Sequence, residues 1–199
     1  MSIAIDSLSY ALDTISRYPK ILFPLIAPFT VHLLMTAAKL GFIGGLVVSL
    51  ISFIAYAVII QCLIFIIEGK TVDLKYAWKT VHGRLDDIIV TSLLATLLAL
   101  TVILIPAALF AIVIAVVDKE RPVRSILKSF MFIIDNLKDV VVLVLIAIIV
   151  AALATVLGTI IPWFGFIVYY VFSLLISTIV CLAMAVLYCF KVKSLTIKK

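Results

Sequence analysis

The chain has 199 residues, 66% of them hydrophobic and only 13% charged, with a mean hydropathy of +1.41 and a formal net charge of +6 at pH 7. A soluble domain of this length averages about half apolar and a quarter charged residues. The excess here cannot be hidden in one globular core, which excludes a water-soluble fold and makes lipid the solvent.

The first 20 residues carry both charges and an apolar stripe, Leu8, Leu12 and Ile15, at helical spacing. They lack a basic start, an apolar h-region and a small-residue cleavage site, so they read as an amphipathic helix and not as a cleavable signal. The uncharged run Ile21–Ala38 follows, interrupted by Pro24 and Pro28 and holding His32. Proline removes a backbone donor and distorts a span, and distortion that lines a cavity often marks a substrate site. A kinked, packed helix is the commoner outcome. The next uncharged run, Leu40–Ile67, opens on GFIGG (Gly41–Gly45), where Gly suggests a turn.

Glu68–Asp87 is the longest polar passage, and it has a stripe of its own. Leu74, Trp78, Val81 and Leu85 share one helical face, flanked by Lys75, Lys79, His82 and Asp86. Asp86-Asp87 is the single carboxylate pair, and it suits the start of the following helix better than a metal. The run Ile88–Val117 then spans about 30 residues, and about 20 cross the hydrocarbon core. With Ile105-Pro106 near its middle it is either one long tilted helix or two short spans.

Asp118–Asp139 repeats the earlier pattern. Val123, Leu127, Phe130 and Ile134 form the stripe, while Arg124, Lys128 and Asp135 stand where Lys75, Lys79 and Asp86 stood. The cores ALDTI, AWKTV and ILKSF each combine two apolar residues, a charged one, Thr or Ser, and a final apolar one. Two more uncharged runs, Val140–Leu157 and Gly158–Phe190, hold one span each, with GTIIPWFG (Gly158–Gly165) as the turn. Small residues at four-residue spacing (Ala107, Ala111, Ala115; Ala147, Ala151; Ala154, Gly158) suit close helix contacts in lipid, within one chain or between copies.

Charge resolves the ambiguous run. All ten acidic residues, and every Lys and Arg except Lys39, lie in residues 1–20, 68–87, 118–139 or the tail after Phe190. Six spans put all four places on one face, which the bias of Lys and Arg makes cytoplasmic. The expected fold is therefore all-α: a polytopic membrane helix bundle of six spans, arranged as three hairpins, each preceded by a cytoplasmic amphipathic helix. It forms a single membrane domain over residues 1–199, with units 1–67, 68–117 and 118–190, a tail at 191–199, and both termini cytoplasmic at the plasma membrane of a prokaryote.

LLATLLAL leading into VILIP, then VVDKERPVRSILKSF and DN, together with Tyr18-Pro19-Lys20 before the first span, carry a resemblance. The chain resembles, over nearly its whole length, a loose superfamily of six-span prokaryotic membrane proteins. That group includes the membrane domain attached to some glycerophosphoryl diester phosphodiesterases. Its Ile-Pro-Gly turn and its Ser and Asn fall here on Ile105-Pro106, Ser129 and Asn136, with Ala107 in place of the usual Gly. The hydrolytic domain of those fusions has no counterpart in this sequence, so no catalytic residues carry over.

Chemistry-bearing motifs are missing: no GxSxG, no Gly-rich phosphate loop, no HExxH. His32 is the single ionisable group expected inside a span, but no second His, Cys or carboxylate stands at ligand spacing from it. Cys62, Cys181 and Cys189 read as apolar packing. The expectation is a protein that is not an enzyme, with no catalytic residues, no metal and no cofactor. Its net charge answers to an anionic membrane surface and not to nucleic acid.

Two functions remain. One is binding of membrane lipids, a cytoplasmic protein partner or both through the amphipathic helices, with Lys75, Trp78, Lys79, Arg124 and Lys128 as the contact residues. The competing account of those helices is that they are connectors docked on the bundle, their charges merely solvated. The other function is a passive pore or carrier for a small or lipid-like solute, built around a cavity at Pro24, Pro28 and His32 and assembled as a homo-oligomer.

Overall fold

A computed structural model describes residues 3–101, 104–160 and 165–193, with side chains except at 154, 157–160, 165–168 and 193. The described residues are helical, without a strand. In chain order the elements are α1 (Ile3–Arg17), a 3-10 segment (Pro19–Leu25), α2 (Ile26–Ala37), α3 (Gly41–Ile67), α4 (Leu74–His82) and α5 (Leu85–Ala99). They continue with α6 (Ile105–Val117), α7 (Pro122–Asp135), α8 (Leu137–Ile160) and α9 (Gly165–Lys193). Helices α2 and α3, α5 and α6, and α8 and α9 pack as consecutive pairs.

Among the described residues three segments are long and apolar enough to cross a membrane: Pro19–Ala37, Gly41–Ile67 and Tyr169–Val192. Helices α7 and α8 pass the same test together but meet at 98°, so α7 turns sharply away from the axis of α8. The first segment reaches its length by a local adjustment. Proline at 19 and 24 leaves no amide donors there, and the chain takes seven residues of 3-10 helix before α2 begins. Because 3-10 helix rises ~2.0 Å per residue against ~1.5 Å for α-helix, the combination spans about 32 Å, the thickness of a hydrocarbon core.

Local signals explain most boundaries. Asp73 caps α4 by accepting from the backbone N–H groups of Lys75 at 2.9 Å and Tyr76 at 3.3 Å. Proline opens α6 and α7, where its missing N–H costs nothing. Helix α3 ends on Gly69 at φ +70°, and the Lys70 N–H returns to the Phe65 carbonyl at 2.8 Å, closing a Schellman turn. Asp86 and Asp87 occupy the first turn of α5, as expected.

Two expected boundaries move. The stripe through Leu85 is not continuous, because α4 stops at His82 and Leu85 opens α5. GFIGG is not a turn: the chain reverses at Ala38–Leu40, and α3 begins at Gly41 and runs through Gly44 and Gly45. Gly44 serves packing instead, since a Cβ there would sit 2.9 Å from the Cβ of Met35 on α2. The expected turn at 158–165 lies partly outside the described residues, and so does the pairing of Ala154 with Gly158. Ala151 is exposed, so Ala147 and Ala151 do not form a buried close contact.

The core sits at one end of the bundle. Buried residues concentrate in the second half of α3, in α6 from Ala107 to Val117, and in α9 from Val180 to Cys189. That end also carries α1, α4 and α7, so it is the basic end. At the opposite end Leu34, Phe42, Ile43, Ile149 and Leu153 are exposed, the surface a lipid solvent requires. Replacing Gly44 by Ala should force α2 from α3 and cost about 1–3 kcal/mol by overpacking. Thermal unfolding in mild detergent should show a lower Tm for it, and none for Gly45→Ala, whose Cβ meets nothing within 4 Å.

Candidate functional site

The three amphipathic helices dock on the bundle through small residues. Helix α1 buries Ala4, Ser7, Ala11 and Thr14 against α9; α7 buries Ser125, Ser129 and Phe132 against α6 and α5; α4 buries Ala77 and Val81 against α3. The hydroxyls are satisfied locally, Ser7 donating to the Ile3 carbonyl at 2.8 Å and Ser129 to that of Ile126 at 2.7 Å. Small docking faces let the helices lie close, and they leave the large apolar residues pointing elsewhere. Leu12, Trp78 and Leu127, the second residue of each repeated core, are 48%, 49% and 59% exposed. On α7 the outward row extends through Val123, Met131 and Ile134. In the repeated cores of α1 and α7 the Thr or Ser is buried against the bundle, in α4 Ala77 and Val81 are, and in all three the bulky residue at the second position faces out.

The basic residues on these helices differ from one another. Lys128 reaches Glu120 at 2.5 Å and Asp118 at 3.6 Å, and Arg124 lies 3.9 Å from Glu120. Tyr188 on α9 donates to the other side of this cluster, its OH 2.5 Å from Asp118 Oδ2. Lys128 is therefore committed to tying α7 to the end of α6. Lys75 and Lys79 are exposed, and among the described residues no carboxylate lies within 4.0 Å of either. The repeat of spacing conceals a difference: α7 commits Lys128 internally while Arg124 stays exposed, and α4 presents both of its lysines.

Helix α4 also closes one wall of an apolar cleft of about 430 Å³. Phe23, Pro24 and Ala27 of the first span line one side, Ile54, Ala55 and Val58 of α3 the other, and Leu74 and Trp78 the α4 end. Pro24 lines this cleft, whereas Pro28 and His32 are not among its lining residues. Both are engaged with α9: the His32 ring stacks on Tyr170, centroids 3.6 Å apart and planes 9° apart, and the Tyr170 OH donates to the Pro28 carbonyl at 3.3 Å. Among the described residues no three of His, Cys, Asp and Glu converge as metal ligands would, and Cys62, Cys181 and Cys189 are buried.

Arg84, not singled out by the sequence, organises the junction between α4 and α5. Its guanidinium donates to the carbonyls of Ala115 at 3.1 Å and Glu120 at 3.2 Å and pairs with Asp87 at 3.0 Å. A planar fork of donors suits two carbonyls and a carboxylate at once, and it satisfies acceptors that the end of α6 leaves open. No spacing signal marks its two carbonyl partners, which lie 31 and 36 residues away. Arg84→Met should lower stability by about 2 kcal/mol, the scale of lost charged hydrogen bonds, readable as an earlier melt in detergent.

The α7 clamp carries a pH signature. The Lys128 hydrogen bond is the foremost cause holding the Glu120 carboxyl below its usual range, and Glu120 in turn holds the Lys128 ammonium above its own. The depressed carboxyl contributes stability above its unfolded pKa, lost as pH falls through the lower folded value; the raised ammonium contributes below its unfolded pKa, lost as pH rises through the higher folded value. A spin label at Leu127 should therefore keep constant mobility from about pH 5 to 10 and loosen below about pH 4. Glu120→Gln should show the loosened spectrum throughout.

Comparison with protein-family models, with curated proteins and with solved structures returns no match.

Proposed function

With no relative to supply one, we propose a function from the geometry: an integral membrane protein without catalytic activity, whose three amphipathic helices lie in the headgroup layer of an anionic leaflet. The observation that carries it is the outward row of large apolar residues on helices already docked by their small faces. A connector helix that merely covered the bundle would turn that row inward. A helix lying in the interface needs it outward, with Lys and Arg beside it. Each basic residue near an anionic surface adds about 1 kcal/mol of attraction.

In this reading the chain makes three membrane hairpins, α2–α3, α5–α6 and α8–α9, with units 1–67, 68–117 and 118–190 and the basic end in the cytoplasm. Helices α5 and α6, with 15 and 13 residues, reach only about 22 and 20 Å, short of a ~30 Å core. A hairpin that enters and returns leaves the chain on the same side whether or not it crosses fully, so the charge-based orientation is unaffected. The resemblance to six-span prokaryotic membrane proteins agrees with this arrangement.

The test uses full-length protein with Cys62, Cys181 and Cys189 replaced by alanine and spin labels at Leu12 or Leu127, in vesicles of phosphatidylglycerol and phosphatidylcholine. Both labels should be relaxed more by oxygen, which partitions into lipid, than by an aqueous nickel complex. Labels that respond chiefly to the nickel complex would sink the interfacial reading and leave a cytoplasmic protein partner as the occupant of those faces.

A further inference from the structure

The cleft beside α4 differs from the other apolar groove of the first span. That second groove, about 220 Å³ between α2 and α9, is lined by Leu22, Phe29, Val171 and Leu174 among others, and by no residue of an amphipathic helix. The α4 cleft has a floor of hydrocarbon, and exposed lysines adjoin its lining residues in the chain. Its volume of about 430 Å³ lies within the ~300–1,000 Å³ of small-molecule sites. Each α4 lining residue is followed by an exposed cation, Leu74 by Lys75 and Trp78 by Lys79. Across the mouth, Lys20 is exposed one 3-10 turn before Phe23, and side chains three apart in a 3-10 helix eclipse. None of the lining residues is charged. Trp78, half-exposed, stands between the two environments, where an indole is favoured.

We infer that this cleft binds one anionic glycerophospholipid, an acyl chain lying between the first span and α3 and the phosphate held by Lys20, Lys75 and Lys79. Charge complementarity selects the occupant. A neutral sterol or hydrocarbon would leave the three cations unused, and a soluble anion would leave the apolar floor unused. The 3-10 segment has a role here: Pro24 has no backbone N–H to satisfy, so its place in the cleft wall exposes no donor to an acyl chain. The inference rests on the membrane placement of α4 proposed above, and it assigns to that surface one lipid held in a defined place.

Native mass spectrometry of the full chain, released from nanodiscs of equal phosphatidylglycerol and phosphatidylcholine, tests it. The expected result is one phosphatidylglycerol adduct per chain. Ala27→Trp, which places an indole in the cleft from an exposed position, should lower the bound fraction at least tenfold. Ile51→Trp, from another lining position, should do the same and serves if the first variant folds poorly. Lys75→Gln with Lys79→Gln changes only exposed side chains and should abolish the preference for phosphatidylglycerol over phosphatidylcholine. An adduct that survives either folded tryptophan variant, or a preference untouched by the lysine changes, overturns the inference. So does wild-type protein free of lipid; if labels at Leu12 and Leu127 still report lipid, the interfacial reading stands and only the bound-lipid site falls.

Discussion

Helix α6 is apolar along its length and buried from Ala107 to Val117, so neither lipid nor water solvates it. It must be wrapped by protein, and α3, α5, α7 and α9 do the wrapping. Alanine at 107, 111 and 115 lets those neighbours approach. The end of such a helix poses a second demand, because its last carbonyls lack intrahelical partners. Arg84 meets it from the start of α5, and Asp118, just past the end of α6, is held by Tyr188 and Lys128. Polar and apolar organisation of the basic end both follow from covering and closing this one short helix.

The amphipathic helices show how a single residue pattern supports two kinds of contact. A helix has room for a docking face, an outward apolar row and a basic flank, provided the docking face is narrow. Ala, Ser and Thr make it narrow, and the bulky Leu12, Trp78 and Leu127 are then free to face away. Burying such a side chain is worth about 1.5–3 kcal/mol, which an aqueous setting would forfeit and an interfacial one recovers. Electrostatics then separate α7 from α4. Acidic residues at 118 and 120 draw Lys128 of α7 inward, while Asp73, the carboxylate beside α4, is occupied in capping the helix.

The first span shows a different compromise. Its prolines shorten the α-helical part, and the 3-10 lead-in restores the reach; only 17% of the span's apolar window is buried, against 61% for α3. The space opened there is apolar on three sides and meets α4 at its charged end. Tyr170 steadies the far half through Pro28 and His32, so the distorted backbone is anchored and not a free hinge.

Sequence by itself determined the solvent and the order of elements. Composition required lipid, the 3.6-residue stripes located α1, α4 and α7, and Pro106 marked the start of α6, because helical periodicity, charge and proline act over a few residues. What only the tertiary structure decided is which way each helix faces and which charges are taken. Periodicity shows that Leu127 and Ser129 lie on different sides of α7 but not which side is docked, since that depends on how closely α6 can be approached. Equal spacing made Lys79 and Lys128 look equivalent, and only the fold, by bringing Asp118 and Glu120 to Lys128 and no carboxylate to Lys79, separates them. Arg84 was invisible for the same reason: its partners are carbonyls more than thirty residues away, and a carbonyl has no identity in a sequence until the chain folds around it.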